Sequence, residues 1–161
     1  MKITFIVQAG GVGSRMGSLT SIKPKALIPV DGKPLLFHLF DNNPNSKFII
    51  ITDYCSDVLI KYVNKYRKNV DVEFITSTEK STSAGIKEAI LNVDGSFFII
   101  WSDLYVKSKI IEPSTDSIAI GITTEKFKFP CRWSVSNNKL QKIPADINGV
   151  CGLFYFKDKK L

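Results

Sequence analysis

Short runs that are apolar at nearly every position alternate along this chain with stretches whose apolar residues recur every three or four positions. Residues 3–7, 47–52 and 96–101 are runs of the first kind. A run apolar on both faces reads as a strand buried inside a sheet. Residues 70–76 set Val70, Val72 and Phe74 against Asp71 and Glu73, the period of a strand with one wet face. Between these runs, Leu35, Leu36, Leu39 and Phe40 form a helical stripe, with Pro34 placed for the first helical turn. Val58, Leu59, Tyr62, Val63 and Tyr66 form a second stripe within residues 57–68. Ala84, Ile86, Ala89, Ile90 and Val93 form a third, within residues 82–93. Asp31-Gly32, after the short apolar run 26–30, is a turn signal, and residues 42–46, with Pro44, are a polar break.

Strands alternating with helices predict an α/β fold, a Rossmann-like three-layer α/β/α sandwich with a mostly parallel central sheet and right-handed crossovers. A fifth strand is expected over residues 117–123. The pattern then changes: residues 133–143 read as a hairpin around Asn137-Asn138, and residues 149–156 as one more strand. No repeat, low-complexity segment or linker divides the chain, so residues 1–161 are expected to form a single domain. Ligands of such sheets bind beyond the carboxyl ends of the strands. That puts the segment after residue 7, Asp53 and Asp103 on one rim.

Composition narrows the setting. Apolar residues make up 44% and charged residues 23% of the chain, which suits a folded domain with a real core. No apolar run approaches the roughly 18–20 residues of a membrane span. Met1-Lys2 leads straight into a strand without a signal-peptide layout. The three cysteines, Cys55, Cys131 and Cys151, are odd in number and unpatterned, and read as reduced thiols of a cytoplasmic protein. The net charge of +7 comes from short scattered clusters, at residues 65–68, 126–128 and 157–160. No nucleic-acid-binding module accompanies them, so the charge reads as a solvated surface that attracts small anions. The expected partners are small molecules, with no nucleic acid and no membrane; self-association stays open.

Candidate chemistry concentrates in residues 7–34. The first strand runs into a loop holding Gly10, Gly11, Gly13 and Gly17, with Arg15 inside it and Lys23 and Lys25 beyond. Glycines let backbone N–H groups approach a ligand closely, and successive N–H groups facing one way form an anion nest. Arg15 adds a fork that matches phosphate oxygens, and Lys25 a point charge. A P-loop is excluded, because no Lys-Ser or Lys-Thr follows these glycines. A dinucleotide-binding turn fits poorly: Met16 stands where its third glycine belongs, and Lys23-Pro24-Lys25 interrupts its helix.

The segment resembles the nucleotidyltransferase superfamily that makes activated sugars and related compounds. That family opens with a motif of the form G-G-x-G-[ST]-R-[ML], a gap, P-K, an apolar strand and G-K-P. Gly10, Gly11, Gly13, Ser14, Arg15, Met16, Pro24, Lys25, Gly32, Lys33 and Pro34 match it in order. The resemblance implies transfer of a nucleotidyl group from a nucleoside triphosphate to a phosphorylated acceptor, a sugar 1-phosphate or, for a cytidylyltransferase, a small non-sugar alcohol phosphate or phosphonate, with release of pyrophosphate. It implies that Arg15 and Lys25 are the catalytic cations. Gln8, Ala9, Gly10, Gly11, Gly13 and Ser14 would bind the nucleotide. Ser83 and Gly85, in a Thr82-Ser83-Ala84-Gly85 stretch similar to one that lines base and ribose, would join them. Asp103, after the run 97–101, is similar to the family's carboxylate ligand for Mg²⁺, with Ser102 before it where the family has glycine. Gly152 lies in a strand similar to the one that backs the acceptor.

Each assignment has a plainer counterpart. Asp103 could cap residues 104–110, Ser81 or Thr82 could cap the helix that follows, and the Gln8 amide could serve the fold. His38, the one histidine, has no catalytic partner in sequence and reads as structural. Arg132-Trp133 and Lys142-Ile143-Pro144 stand where the family has its sugar-pocket pairs, and the later aspartate that supplies a second metal ligand has no counterpart better than Asp158. Truncation at the C-terminal end, or a nucleotide-binding module without turnover, would account for this.

Overall fold

A computed structural model of the protein describes residues 2–76, 82–124, 131–137, 139–143, 145 and 147–159. Ser81, residues 126–128, Asn138 and Pro144, which the sequence assigns to a helix cap, a basic cluster, a hairpin tip and an acceptor-side turn, lie outside the described residues.

Strand β1 (Thr4–Gln8) is followed by two 3-10 segments, Ser14–Thr20 and Lys25–Leu27. A small hairpin of β2 (Pro29–Val30) and β3 (Lys33–Pro34) leads into α1 (Leu35–Asn42). Asp31 and Gly32 at its tip both have positive φ, 49° and 77°, as a tight two-residue turn requires. Pro34 therefore closes the hairpin, opposite Pro29, and α1 starts at the next residue rather than with Pro34 in its first turn.

The chain continues through β4 (Lys47–Thr52), α2 (Ser56–Tyr66), β5 (Asp71–Thr76), α3 (Thr82–Leu91) and β6 (Phe97–Trp101). It finishes with β7 (Ala119–Thr124), the hairpin of β8 (Ser134–Ser136) and β9 (Lys139–Gln141), and β10 (Gly149–Phe156).

One eight-stranded sheet runs β5-β4-β1-β6-β10-β8-β9, with β7 also paired to β10. Strands β5, β4, β1 and β6 are parallel. Strand β10 returns antiparallel to β6, and β7, β8 and β9 continue in antiparallel pairing. The expected mostly parallel sheet is thus the first half of the molecule, and β7 belongs to the second half.

The parallel strands are apolar throughout because helices cover both faces. Phe5, Val7, Phe48, Ile50, Phe98 and Ile100 pack with Leu36, Leu39 and Phe40 of α1 and Leu59 and Val63 of α2. Ile6, Ile49, Ile51, Phe97 and Ile99 pack on the other face with Ala89 of α3 and with Val93. Phe5 stacks between Phe48 and Phe98, with ring centroids 5.5 and 5.3 Å away. Burying each such side chain contributes about 1.5–3 kcal/mol. At the sheet edge, Lys2 and Lys47 pair with Asp71 and Glu73 of β5 at 2.7 and 3.0 Å. Such charges blunt an edge against further strand addition.

The strand order fixes where a ligand can sit. From β1 the chain steps to β4 and β5, then crosses back to β6 on β1's other side. The carboxyl ends of β1 and β6 therefore flank a topological switch point, the usual crevice of an open α/β sheet.

Candidate active site

The glycine loop leaves the end of β1 and is held against the exit of β4. Ala9 N–H donates to the Ile51 carbonyl at 2.9 Å, and Tyr54 N–H to the Gly10 carbonyl at 3.3 Å. A Cβ on Gly10 would lie 3.1 Å from that of Asp53, so a larger residue here would crowd the crossing. Gly13 is left-handed (φ 67°, ψ 34°) and starts the turn in which Met16 N–H bonds back to its carbonyl at 2.8 Å. Gly17 (φ 54°, ψ −130°) breaks the 3-10 segment in two.

Two side chains that the sequence did not single out hold this loop. Thr20 is only 3% exposed, and its hydroxyl lies 3.2 Å from the Gly13 carbonyl and 3.3 Å from that of Gly17. The Tyr54 hydroxyl, from beyond β4, reaches the Thr20 carbonyl at 2.8 Å and the Ser21 carbonyl at 2.9 Å. Nothing local in the sequence marks either residue. Thr20 sits in a plain polar stretch, and Tyr54 is 34 residues from its acceptor. The neighbouring Cys55 thiol, by hydrogen bonding, together with some desolvation, raises the Tyr54 phenol above its ordinary pKa.

Lys25 and Asp103, 78 residues apart in sequence, form a direct hydrogen-bonded ion pair through Nζ and Oδ2. Lys25 opens the second 3-10 segment, and its Cβ is 3.6 Å from where a Cβ on Gly13 would stand. Asp103 sits in a turn at the end of β6, where Leu104 N–H donates to the Trp101 carbonyl and Ser102 N–H to the Gln8 carbonyl, both at 3.2 Å. That second bond ties the ends of β6 and β1 together. Residues 104–110 form no helix, so the capping alternative for Asp103 has nothing to cap. The pair is partly open to solvent, with side-chain exposures of 24% and 36%, so a ligand can reach both groups.

The other sequence-predicted residues surround this pair unevenly. Arg15 and Ser14 are exposed on the loop, and Arg15 makes no ion pair among the described residues. Gly11 has open space around it. Ala9 is buried and Gln8 half-buried at the end of β1. Ser83 and the buried Gly85 fall in the first turn of α3, which starts on the carboxyl side of β5.

Residues 5–119 match the MobA-like NTP transferase domain family. The chain belongs to this family. Among curated relatives, a UTP–glucose-1-phosphate uridylyltransferase, AglF, from Haloferax volcanii is 30% identical over 92 residues, 55% of this chain and 37% of that protein. A mannose-1-phosphate guanyltransferase from Emericella nidulans is 31% identical over 108 residues, 62% of this chain and 30% of that protein. The chain thus spans about a third of the length of these curated relatives. Among solved structures, HddC from Yersinia pseudotuberculosis superposes with a TM-score of 0.76 at 22% identity, over 98% of this chain and 77% of that one. CTP:phosphocholine cytidylyltransferase from Streptococcus pneumoniae gives 0.70 at 20% identity, over 98% and 72%.

Beyond the matched residues, Gly152 lies at a bulge, where the β10–β7 register shifts between Val150 and Phe154. Its φ is 88°, and a Cβ there would lie 2.3 Å from the Trp101 ring, so the indole lies directly against glycine backbone. The bulge is next to β6, and Leu153 pairs with Ile100. His38 is structural: its Nε2 is 2.8 Å from the Val30 carbonyl and its ring meets that of Tyr105 edge-on at 4.8 Å. None of the three cysteines forms a disulfide. Among the described residues no helix is long and apolar enough to cross a membrane.

A divalent ion fits the domain in one way. Among the described residues, no three histidine, cysteine or carboxylate side chains converge. Asp103 is a hard oxygen donor, partly solvated, and already holds a cationic group in Lys25. One such carboxylate, completed by substrate phosphates and water, is a donor set that a hard divalent cation accepts.

Proposed function

We propose that this domain transfers a nucleotidyl group from a nucleoside triphosphate to a phosphorylated small molecule, a sugar 1-phosphate, releasing pyrophosphate. The observation that carries this reading is the Lys25–Asp103 pair beside the glycine loop, at the carboxyl ends of β1 and β6. A cation and a carboxylate there can grip both ends of a polyphosphate–metal complex. The sugar-phosphate relatives support the acceptor class.

In the proposed reaction, an oxygen of the acceptor's phosphate attacks the α-phosphorus. The bond from that phosphorus to the bridging oxygen breaks, and pyrophosphate leaves with the electron pair. The nucleophile is already anionic, so no general base is needed. The protein's task is alignment and charge neutralisation. Arg15 and the N–H groups of Gly11 and Gly13 hold the β- and γ-phosphates. Lys25 turns from Asp103 to the α-phosphate and the incoming phosphate. Gln8, Ala9 and Gly10, with Ser83 and Gly85 of α3, line the base and ribose, and Gly152 backs the acceptor. Asp103 would hold Mg²⁺, which when bound neutralises charge on the phosphate oxygens. Residues 1–161 act in this reading as one domain, in the cytoplasm, where reduced thiols and nucleoside triphosphates coexist.

The test is a pyrophosphate-release screen with Mg²⁺, the four common triphosphates, and a panel of sugar 1-phosphates and alcohol phosphates. One productive triphosphate–sugar 1-phosphate pair is expected. Release with CTP and an alcohol phosphate alone would move the assignment to a small-molecule cytidylyltransferase, a reading the phosphocholine enzyme's shared fold supports. Triphosphate binding with no release from any pair would make the domain a nucleotide-binding module.

A further inference from the structure

Tyr54 touches the loop that carries the proposed chemistry, yet belongs to neither the motif nor the core. It lies just beyond β4, next to Asp53, against which Gly10 is tightly packed. Its N–H bonds to the Gly10 carbonyl at 3.3 Å, at the start of the loop. Its hydroxyl lies 2.8 Å from the Thr20 carbonyl and 2.9 Å from that of Ser21, at the far end. One residue therefore bonds both ends of the segment that holds Gly11, Gly13, Ser14 and Arg15. Inside the segment, the buried Thr20 hydroxyl adds bonds toward Gly13 and Gly17. Remaining features of the segment favour motion: Gly13 and Gly17 have positive φ, while Val12, Leu19 and Ile22 are 55%, 53% and 77% exposed. A loop with so little apolar anchorage opens at low cost unless polar bonds hold it.

We infer that Tyr54 is a positioning residue for polyphosphate binding, tethering both ends of the glycine loop in the geometry that receives the β- and γ-phosphates. This rests on the nucleotidyl-transfer reading. The phenol proton satisfies one carbonyl at a time, and both acceptors lie within reach, so the tether tolerates small movements of the loop. Pre-ordering the loop lowers the entropy that phosphate binding would otherwise have to overcome.

The test compares wild type with Tyr54→Phe, which keeps the ring and removes only the hydroxyl. Calorimetry with Mg²⁺ and inorganic tripolyphosphate probes the loop without any base. The tightest of ATP, GTP, CTP and UTP, and its monophosphate, complete the set. Tyr54→Phe is expected to weaken tripolyphosphate and triphosphate binding roughly fivefold to tenfold, the scale of one lost hydrogen bond. Monophosphate binding should change less than twofold, and the amides of residues 13–21 should exchange faster with solvent. Equal triphosphate affinities in the two proteins, or equal losses for monophosphate and triphosphate, would overturn the tether. A wild type that binds none of these anions would instead sink the nucleotide reading, and the tether's purpose with it. Should Tyr54→Phe melt far below wild type, binding measured well below its melting temperature must still show the same triphosphate-selective loss.

Discussion

The two halves of the sheet are built on different terms. Strands β5, β4, β1 and β6 lie between helices, and their residues dominate two buried clusters that β10 joins through Tyr155, Phe154 and Phe156. Strands β8 and β9 are short, paired by hairpin, and expose residues such as Leu140, which is 60% accessible. The family match covers residues 5–119 and stops at the first residue of β7. In the proposed reaction the parallel half holds the triphosphate, common to every member of this chemistry, and the antiparallel half meets the acceptor, which differs between enzymes. A rigid frame suits the shared step, and an adjustable edge suits the variable one.

The sharpest way to break this comparison is through the core. Phe48 is fully buried between Phe5 and Phe40, and Phe48→Ala should cost about 3–5 kcal/mol in denaturant unfolding. Leu140→Ala, on β9, should stay within about 0.5 kcal/mol of wild type. Comparable losses for both would mean that the β8–β9 edge is held as firmly as the parallel frame.

Next in size are the loop cations. Arg15→Ala and Lys25→Ala should each lower turnover by roughly 10²–10³, the scale of one electrostatic donor to a transition state, while leaving the melting temperature near wild type. Full pyrophosphate release by both variants would remove the phosphate site from the parallel half. Gly152→Ala bears on the junction of the halves. Its positive φ and the 2.3 Å approach to the Trp101 ring predict a loss of about 1–3 kcal/mol by thermal unfolding, from strain and overpacking. In the folded fraction, KM for the acceptor should rise more than KM for the triphosphate.

The smallest effect concerns Glu112, which accepts the Tyr155 phenol of β10 at 2.9 Å. Hydrogen bonds from Ser96 and then Tyr155 hold its carboxyl below the usual range. A depressed carboxylate stabilises the fold above its unfolded-state pKa, and that contribution is lost as pH falls through the folded value. Wild type should therefore lose a little stability in acid that Glu112→Gln does not lose. Parallel melting curves against pH for the two proteins would show that the bond contributes nothing.

Much of this protein can be read from residue order alone. The almost wholly apolar runs ending in Val7, Thr52 and Trp101 identify central parallel strands, because only a strand covered on both faces lacks a regularly polar side. The glycines, Arg15 and Lys25 are likewise legible, since backbone geometry and charge leave a local signature. Tertiary structure alone decided the pairing of Lys25 with Asp103, the antiparallel placement of β7 against β10, and the reach of Tyr54 to Thr20. Those contacts join residues far apart in the chain, and it is the order of strands in the sheet, not any neighbouring sequence, that brings them within bonding distance.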